Sequence, residues 1–241
     1  MTGELLRLDN VHTDIGSYRI LHGVDLTVPR SGLTMLLGRN GAGKTTTLRT
    51  IMGLWRASTG SIGFNGKNIA GLSTPHIARQ GIAYVPETMG IFSDLSVAQN
   101  MVIAARSARG VEDIDAARLR KIFRFFPAIE KFWSYPAGKL SGGQKQMLAI
   151  ARAMVEPRDL LLIDEPTKGL APSILENLVE AFEDLKGSGT TILMVEQNVQ
   201  LAERLGDTVA VMDNGRIVHE GSMKAFAGDD SLKRSLLGLS L

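Results

Sequence analysis

The chain has 241 residues, enough for one large domain or a domain carrying a subdomain. Its 27 basic and 25 acidic side chains nearly cancel, at a net +2, so charge makes no case for a nucleic-acid partner. Cysteine is absent, which excludes disulfides and thiolate metal sites, and no apolar run approaches the roughly 20 residues that span a bilayer.

The first ten residues include Glu4 and Asp9 and lack the apolar core of a signal peptide. Any work at a membrane is therefore expected to go through a partner. Residues 4–10 and 24–28 alternate apolar and polar side chains, predicting two strands of an N-terminal antiparallel β region. Leu33–Leu37 is an apolar run of the kind that is buried on both faces of a parallel sheet, and a helix is expected over Lys44–Met52 behind it. Strands are also predicted at Gly81–Val85, Leu160–Ile163, Thr191–Val195 and Thr208–Met212. Helices are predicted at Gln144–Val155, Ile174–Leu185 and Val199–Leu205. From Ser93 to Lys139 the pattern is helical without a strand (Val97–Arg106, Ala116–Phe126), and Ser222–Leu241 reads as one or two short helices. Alternating strands and helices predict an α/β fold, a sheet covered on both faces, with an all-helical insertion.

Between the run at Leu33–Leu37 and the helix after it, Gly38–Thr45 fits G-x-x-x-x-G-K-[ST]. Glycines let successive backbone N–H groups turn inward on an anion, and the helix N-terminus adds its positive dipole end. Arg39, Asn40, Gly41, Ala42, Gly43, Lys44, Thr45 and Thr46 form the candidate phosphate cradle. Lys44 would reach the β- and γ-phosphates of a nucleotide, and the Thr45 hydroxyl would ligate Mg2+. Downstream, Leu160–Ile163 runs directly into Asp164 and Glu165, at the strand end where ligands bind in open α/β sheets. Neighbouring side chains on a strand point opposite ways. Asp164 is therefore assigned to the metal, through water, and Glu165 to the base that polarises the attacking water. A second glycine-rich turn, Ser141, Gly142, Gly143 and Gln144, opens a helix and offers another anion site. One ATP can use both loops if the second belongs to another copy.

The ordered set GRNGAGKTT (38–46), LSGGQ (140–144) and LLLIDEPT (160–167) resembles the ATP-binding subunit of an ATP-binding-cassette transporter, over about Leu5 to Gly238. The resemblance implies a P-loop NTPase core of that type, over 1–86 and 157–241, with a helical subdomain over 87–156 that carries the signature loop. It implies ATP hydrolysis, with ATP and Mg2+ bound between two subunits packed head to tail, the second a paralogue or another copy. It also implies transmembrane permease partners, a solute-binding protein acting indirectly, and a peripheral place on the cytoplasmic face of the inner membrane.

The departures carry information. Where the family has a glutamine linking core to helical subdomain, this chain has Glu87, which joins Thr45 and Asp164 among the candidate metal-side groups. Where the family has histidine after the last core strand, it has Gln197, a candidate catalytic residue beside Glu165 and Lys44. Ala171 replaces a usual aspartate. The combination of VPE, MLAIARA, GLAP and VEQN is similar to the ATPases of branched-chain amino acid and related amide or urea importers. Exporter, lipid-extraction and soluble non-transport ATPases are the alternatives. By family spacing, adenine would stack at Ile15, with Tyr18 three residues on as the aromatic alternative. Lys168 reads as a solvated side chain in preference to a dimer-interface contact, and Arg118, Arg120, Lys121 and Arg124 as one solvated helix face. Met89, Ile91 and Phe92 read as a groove for a partner helix or as local core.

Overall fold

The computed structural model describes residues 3–106 and 108–238. In chain order the elements are β1 (Glu4–Ile15), β2 (Tyr18–Pro29), β3 (Leu33–Leu37), α1 (Lys44–Ile51), β4 (Ala57–Phe64), β5 (Lys67–Asn68), α2 (Thr74–Arg79), β6 (Ile82–Val85), α3 (Val97–Ala104), α4 (Ala116–Phe125), α5 (Pro127–Lys131), α6 (Gly142–Met154), β7 (Leu160–Asp164), α7 (Pro172–Gly187), β8 (Thr191–Val195), α8 (Val199–Leu205), β9 (Thr208–Asp213), β10 (Arg216–Ser222), α9 (Met223–Ala227) and α10 (Asp230–Leu237). The chain divides into two compact units. One takes the residues through Tyr84, Asp159–Glu165 and those from Leu185 onward; the other takes Val85–Arg158 and Pro166–Asp184. The expected helical segment 87–156 falls inside the second unit, which also includes 166–184.

The first unit is built on a six-stranded sheet in the order β10-β9-β3-β8-β7-β6 and a four-stranded sheet in the order β2-β1-β4-β5. Every residue of β3, β7 and β8 is buried, as the short apolar runs require of strands covered on both faces. β8 pairs in parallel with both β3 and β7, and β3 also pairs in parallel with β9. In this register Val195 lies opposite Leu36 on one side and Asp164 on the other. Three neighbouring strands therefore end level with one another. The segments that follow them, beginning at Gly38, Glu165 and Glu196, leave from one edge, which is where an open α/β sheet carries its ligand site.

The antiparallel sheet extends further than the alternation predicts. β1 continues to Ile15 and β2 starts at Tyr18, with Gly16 at φ 59 in the turn between them. Polar His12, Asp14, Arg19 and His22 obscure the pattern, and register shifts around Val11 and His12 break its period. β4, β5, β10 and α2 were not predicted. In β4 only Ile62 and Phe64 are buried, so ASTGSIGF offers too short an apolar signal. The side chains of β10 alternate between exposed and half-buried, as suits a strand at the edge of its sheet. A continuous core joins Leu6, Leu8, Val24 and Phe64 of the antiparallel sheet to Leu48 of α1 and to Leu36, Leu162 and Val195 of the larger sheet.

In the second unit the predicted helices form. Ser96 and Gln99 make a reciprocal capping box at the start of α3, satisfying two backbone donors that a helix end leaves unpaired. Lys121 and Arg124 of that basic helix face both pair with Asp184 while staying partly exposed. Met89 has φ 65 and Phe92 is exposed beneath the Arg152 guanidinium, 5.2 Å from the ring centre, so Phe92 is not part of a local core.

Candidate active site

The phosphate loop is shaped by contacts that leave no room for side chains. Gly38 has φ 144, and a Cβ there would lie 2.1 Å from the Met212 carbonyl oxygen. Gly43 has φ 109, with the Leu21 and Met212 side chains 3.1 and 3.2 Å from where a Cβ would stand. Both backbones occupy the region that glycine alone enters at low cost. The loop is fastened by Gly215 N–H donating to the Ala42 carbonyl at 2.8 Å and by Thr47 Oγ1 donating to the Gly43 carbonyl at 3.1 Å. Lys44 folds back over it and donates to the carbonyls of Gly38 and Arg39 at 2.7 and 3.0 Å. Burial pushes the Lys44 ammonium below the ordinary lysine value, while the charges of Glu165 and Asp164 pull it back up.

Asp164, fully buried at the end of β7, accepts from Thr45 Oγ1 at 3.0 Å and from the Tyr84 hydroxyl at 3.1 Å. Burial and the neighbouring Asp164 charge push the Tyr84 phenol up to about 12, so it stays a donor. Glu165 has φ 48, a left-handed conformation that costs a non-glycine residue on the order of 1 kcal/mol or more. Its N–H is tied to the Val195 carbonyl at 2.9 Å, which holds that turn against β8. Gln197 Nε2 donates to Glu165 Oε1 at 2.6 Å. The buried Glu196 carboxylate accepts from the N–H groups of Gln197 and Asn198 at 3.1 and 3.3 Å and so shapes the loop that carries Gln197. A cavity of about 270 Å3 opens between Gly38, Arg39 and Asn40 on one side and Glu196 and Gln197 on the other.

Lys44, Thr45, Asp164, Glu165 and Gln197 are thus brought together in one unit. In chemical terms they provide an ammonium, a hydroxyl, two carboxylates and an amide beside a glycine-rich loop. Hydroxyl and carboxylate oxygens are the hard donors that Mg2+ takes, and Mg2+ usually completes its shell with water and substrate phosphate rather than with a protein cage. No group of three or more acidic or histidine side chains placed to hold a metal occurs among the described residues. Thr45 spends its single proton on Asp164, which leaves its lone pairs for a cation.

Ile15 and Tyr18 are direct cross-strand partners, so the two candidate adenine contacts share one face of the hairpin; Tyr18 is 77% exposed. Ser141, Gly142, Gly143 and Gln144 lie in the second unit at the start of α6, where Ser141 and Gln144 form a capping box with each other. Glu87 also belongs to the second unit and is paired with Lys168, which is therefore a partnered side chain as well as a solvated one. Sequence reasoning missed the roles of Tyr84 and Glu196. Tyr84 directly precedes the VPE motif and Glu196 stands inside VEQN, but nothing in that spacing reports a contact made 80 residues away or a carboxylate that folds back on its own loop.

The fold and this constellation define an ATP-binding cassette. A family model described as ABC transporter matches residues 21–168. The high-affinity branched-chain amino acid transport ATP-binding protein BraG of Pseudomonas aeruginosa is 37% identical, over 97% of this chain and all of its own length. The methionine import ATP-binding protein MetN of Rhizobium johnstonii is 34% identical over 91% of this chain and 61% of its own length. The crystal structure of the ADP conformation of an ATP-binding cassette of an ABC transporter superposes with a TM-score of 0.78, at 27% identity, covering 96% of this chain and 97% of that one. The chain belongs to the ABC transporter family, as an ATP-binding cassette that hydrolyses ATP. Proteins of this kind are the ATP-binding subunits of transporters and work with membrane permeases. No helix among the described residues is long and apolar enough to cross a membrane.

Proposed function

We propose that this chain is the ATPase of an importer for branched-chain amino acids or related small amides, held on the cytoplasmic face of the membrane by its permease. The direct reaction is ATP + H2O → ADP + phosphate. The observation that carries the chemistry is the grouping of Lys44, Thr45–Asp164 and Glu165–Gln197 at one edge of the sheet. The backbone of 39–46 and the Lys44 ammonium bind the phosphates and meet charge developing on the γ-phosphoryl oxygens. Thr45 and Asp164 would hold Mg2+, Asp164 through water, with Glu87 in reserve at the linker. When bound, the ion neutralises phosphate charge and fixes the phosphate oxygens. Glu165 orients the attacking water and takes its proton; Gln197 holds Glu165 and donates toward the γ-phosphate. Ile15 and Tyr18 form the adenine platform. Ser141, Gly142, Gly143 and Gln144 serve the ATP of a second subunit, either a paralogue or another copy, packed head to tail. Closure of that pair by ATP drives transport, and a solute-binding protein acts through the permease.

The match to BraG over its whole length supports the branched-chain solute class, whereas MetN matches over part of its length. Two tests separate the layers. Glu165→Gln is expected to abolish turnover while ATP binding, followed by a fluorescent analogue, is retained; substantial residual turnover removes Glu165 from the base role. For the solute, ATP hydrolysis by the assembled transporter is measured with leucine, isoleucine, valine, urea, short amides and methionine. Stimulation by the branched-chain set or the amides is expected, and stimulation by methionine alone replaces the solute class.

A further inference from the structure

Asp164 is gripped at both carboxylate oxygens. Thr45 of α1 donates to Oδ1 at 3.0 Å, and Tyr84 of β6 donates to Oδ2 at 3.1 Å. The Arg49 guanidinium lies near the Tyr84 hydroxyl and acts on it through its charge. Thr45 and Arg49 stand four residues apart on α1, and so on one face of it. One helix face therefore carries Thr45, which holds the carboxylate directly, and Arg49, which lies near the hydroxyl that holds its other oxygen. A carboxylate with one oxygen held can still rotate about its terminal torsion, which is broad and soft. Holding the second oxygen from the neighbouring strand removes that freedom. Both donors are neutral hydroxyls, so they fix the plane of the group without adding a positive charge beside it.

We propose that Tyr84 is a positioning residue for the metal, setting the orientation of Asp164, with the charge of Arg49 nearby supporting it. This rests on the assignment of Asp164 to the metal made above. Tyr84 acts through Asp164, to which its hydroxyl donates. It is also the last residue of its unit before the chain passes to Val85 and the linker bearing Glu87.

The test measures metal affinity directly. Mg2+ binding to the ADP complex is read by competition with Mn2+ in electron paramagnetic resonance, for wild type, Tyr84→Phe, Arg49→Gln and Asp164→Asn. Groups that orient a metal's ligands typically contribute ten- to hundredfold to affinity. Tyr84→Phe is expected to weaken Mg2+ by roughly tenfold or more, to leave metal-free ADP affinity unchanged, and to regain most of its ATPase rate at high Mg2+. Arg49→Gln keeps the hydroxyl and is expected to give a smaller loss in the same direction, which preserves the test if Tyr84→Phe fails to fold. Wild-type Mg2+ affinity in Tyr84→Phe, with Asp164→Asn weakened, overturns the inference. So does a lowered melting temperature without nucleotide while Mg2+ affinity is intact, since that marks a purely structural side chain. If Asp164→Asn itself binds Mg2+ normally, the metal assignment falls and the role of Tyr84 falls with it.

Discussion

Gln197 stands where relatives of this chain are expected to carry a titrating histidine, and its contact with Glu165 sets a rate that can be worked out. The amide donates to Glu165 Oε1 at 2.6 Å, a short bond to an ionised acceptor. Hydrogen bonds to charged groups contribute about 1.5–3 kcal/mol. Gln197 is exposed, however, so water competes for the carboxylate and the contribution falls to about 1–2 kcal/mol. At 1.36 kcal/mol per tenfold, Gln197→Ala should lower kcat by roughly five- to thirtyfold. The KM for ATP should move little, because the contact is to Glu165 and not to the cradle that binds ATP in the ground state. A pH profile separates orientation from proton transfer. An amide does not titrate near neutrality. The four histidines, His12, His22, His76 and His219, lie on β1, β2, α2 and β10, outside the nucleotide motifs. Wild-type kcat should therefore show no single-proton step near the histidine value of about 6.5. Gln197→His should introduce one, displaced upward because the imidazolium would sit beside the Glu165 carboxylate. The assay is steady-state phosphate release from the assembled transporter between pH 5.5 and 8.5. A wild-type inflection at about 6.5 that one histidine substitution abolishes refutes the reasoning, as does a Gln197→Ala rate within twofold of wild type.

Gly38→Ala should destabilise the fold by about 3 kcal/mol or more, because a methyl placed 2.1 Å from a backbone oxygen adds overpacking to a strained φ; a chemical denaturation midpoint close to wild type would show that the loop is held differently. Tyr18→Ala should leave the melting temperature unchanged, given an exposure of 77%, and should weaken ATP if Tyr18 stacks on adenine; unchanged affinity assigns the platform to Ile15. Glu156 is desolvated, yet hydrogen bonds from Arg106 and the charge of Arg158 hold its carboxyl below the usual glutamate range. A depressed folded-state value means that the stabilisation is present above the unfolded glutamate value and is lost as pH falls through the folded one. Glu156→Gln should therefore cost about 1.5–3 kcal/mol at pH 7 in urea unfolding, with the gap to wild type closing in acid; a gap that is constant with pH excludes the ionic origin.

What was legible in the chain is what is contiguous in it. The strands β3, β7 and β8 announce themselves because burial on both faces demands an unbroken apolar run. The phosphate loop does so because its turn, its lysine and its hydroxyl follow one another within eight residues. What stayed hidden depends on sheet order. β7 lies between β8 and β6, so Asp164 and Glu165 have neighbours on both sides that are far away in sequence. Asp164 reaches Tyr84, across one strand boundary, while Glu165 is tied by its backbone to Val195 and by its side chain to Gln197, across the other. The alternation rule correctly sends these two adjacent carboxylates different ways, but it cannot say what each will meet. Their division of labour follows from those surroundings. Asp164 is fully buried and fixed by two hydroxyls, suited to hold still; Glu165 is half-buried in a left-handed turn under an exposed amide, suited to face water and take a proton. Two carboxylates side by side in sequence are thus made chemically distinct by the strand on either side, and for that reason substitutions at Tyr84 and at Gln197 should fail in different ways, the first in metal affinity and the second in kcat.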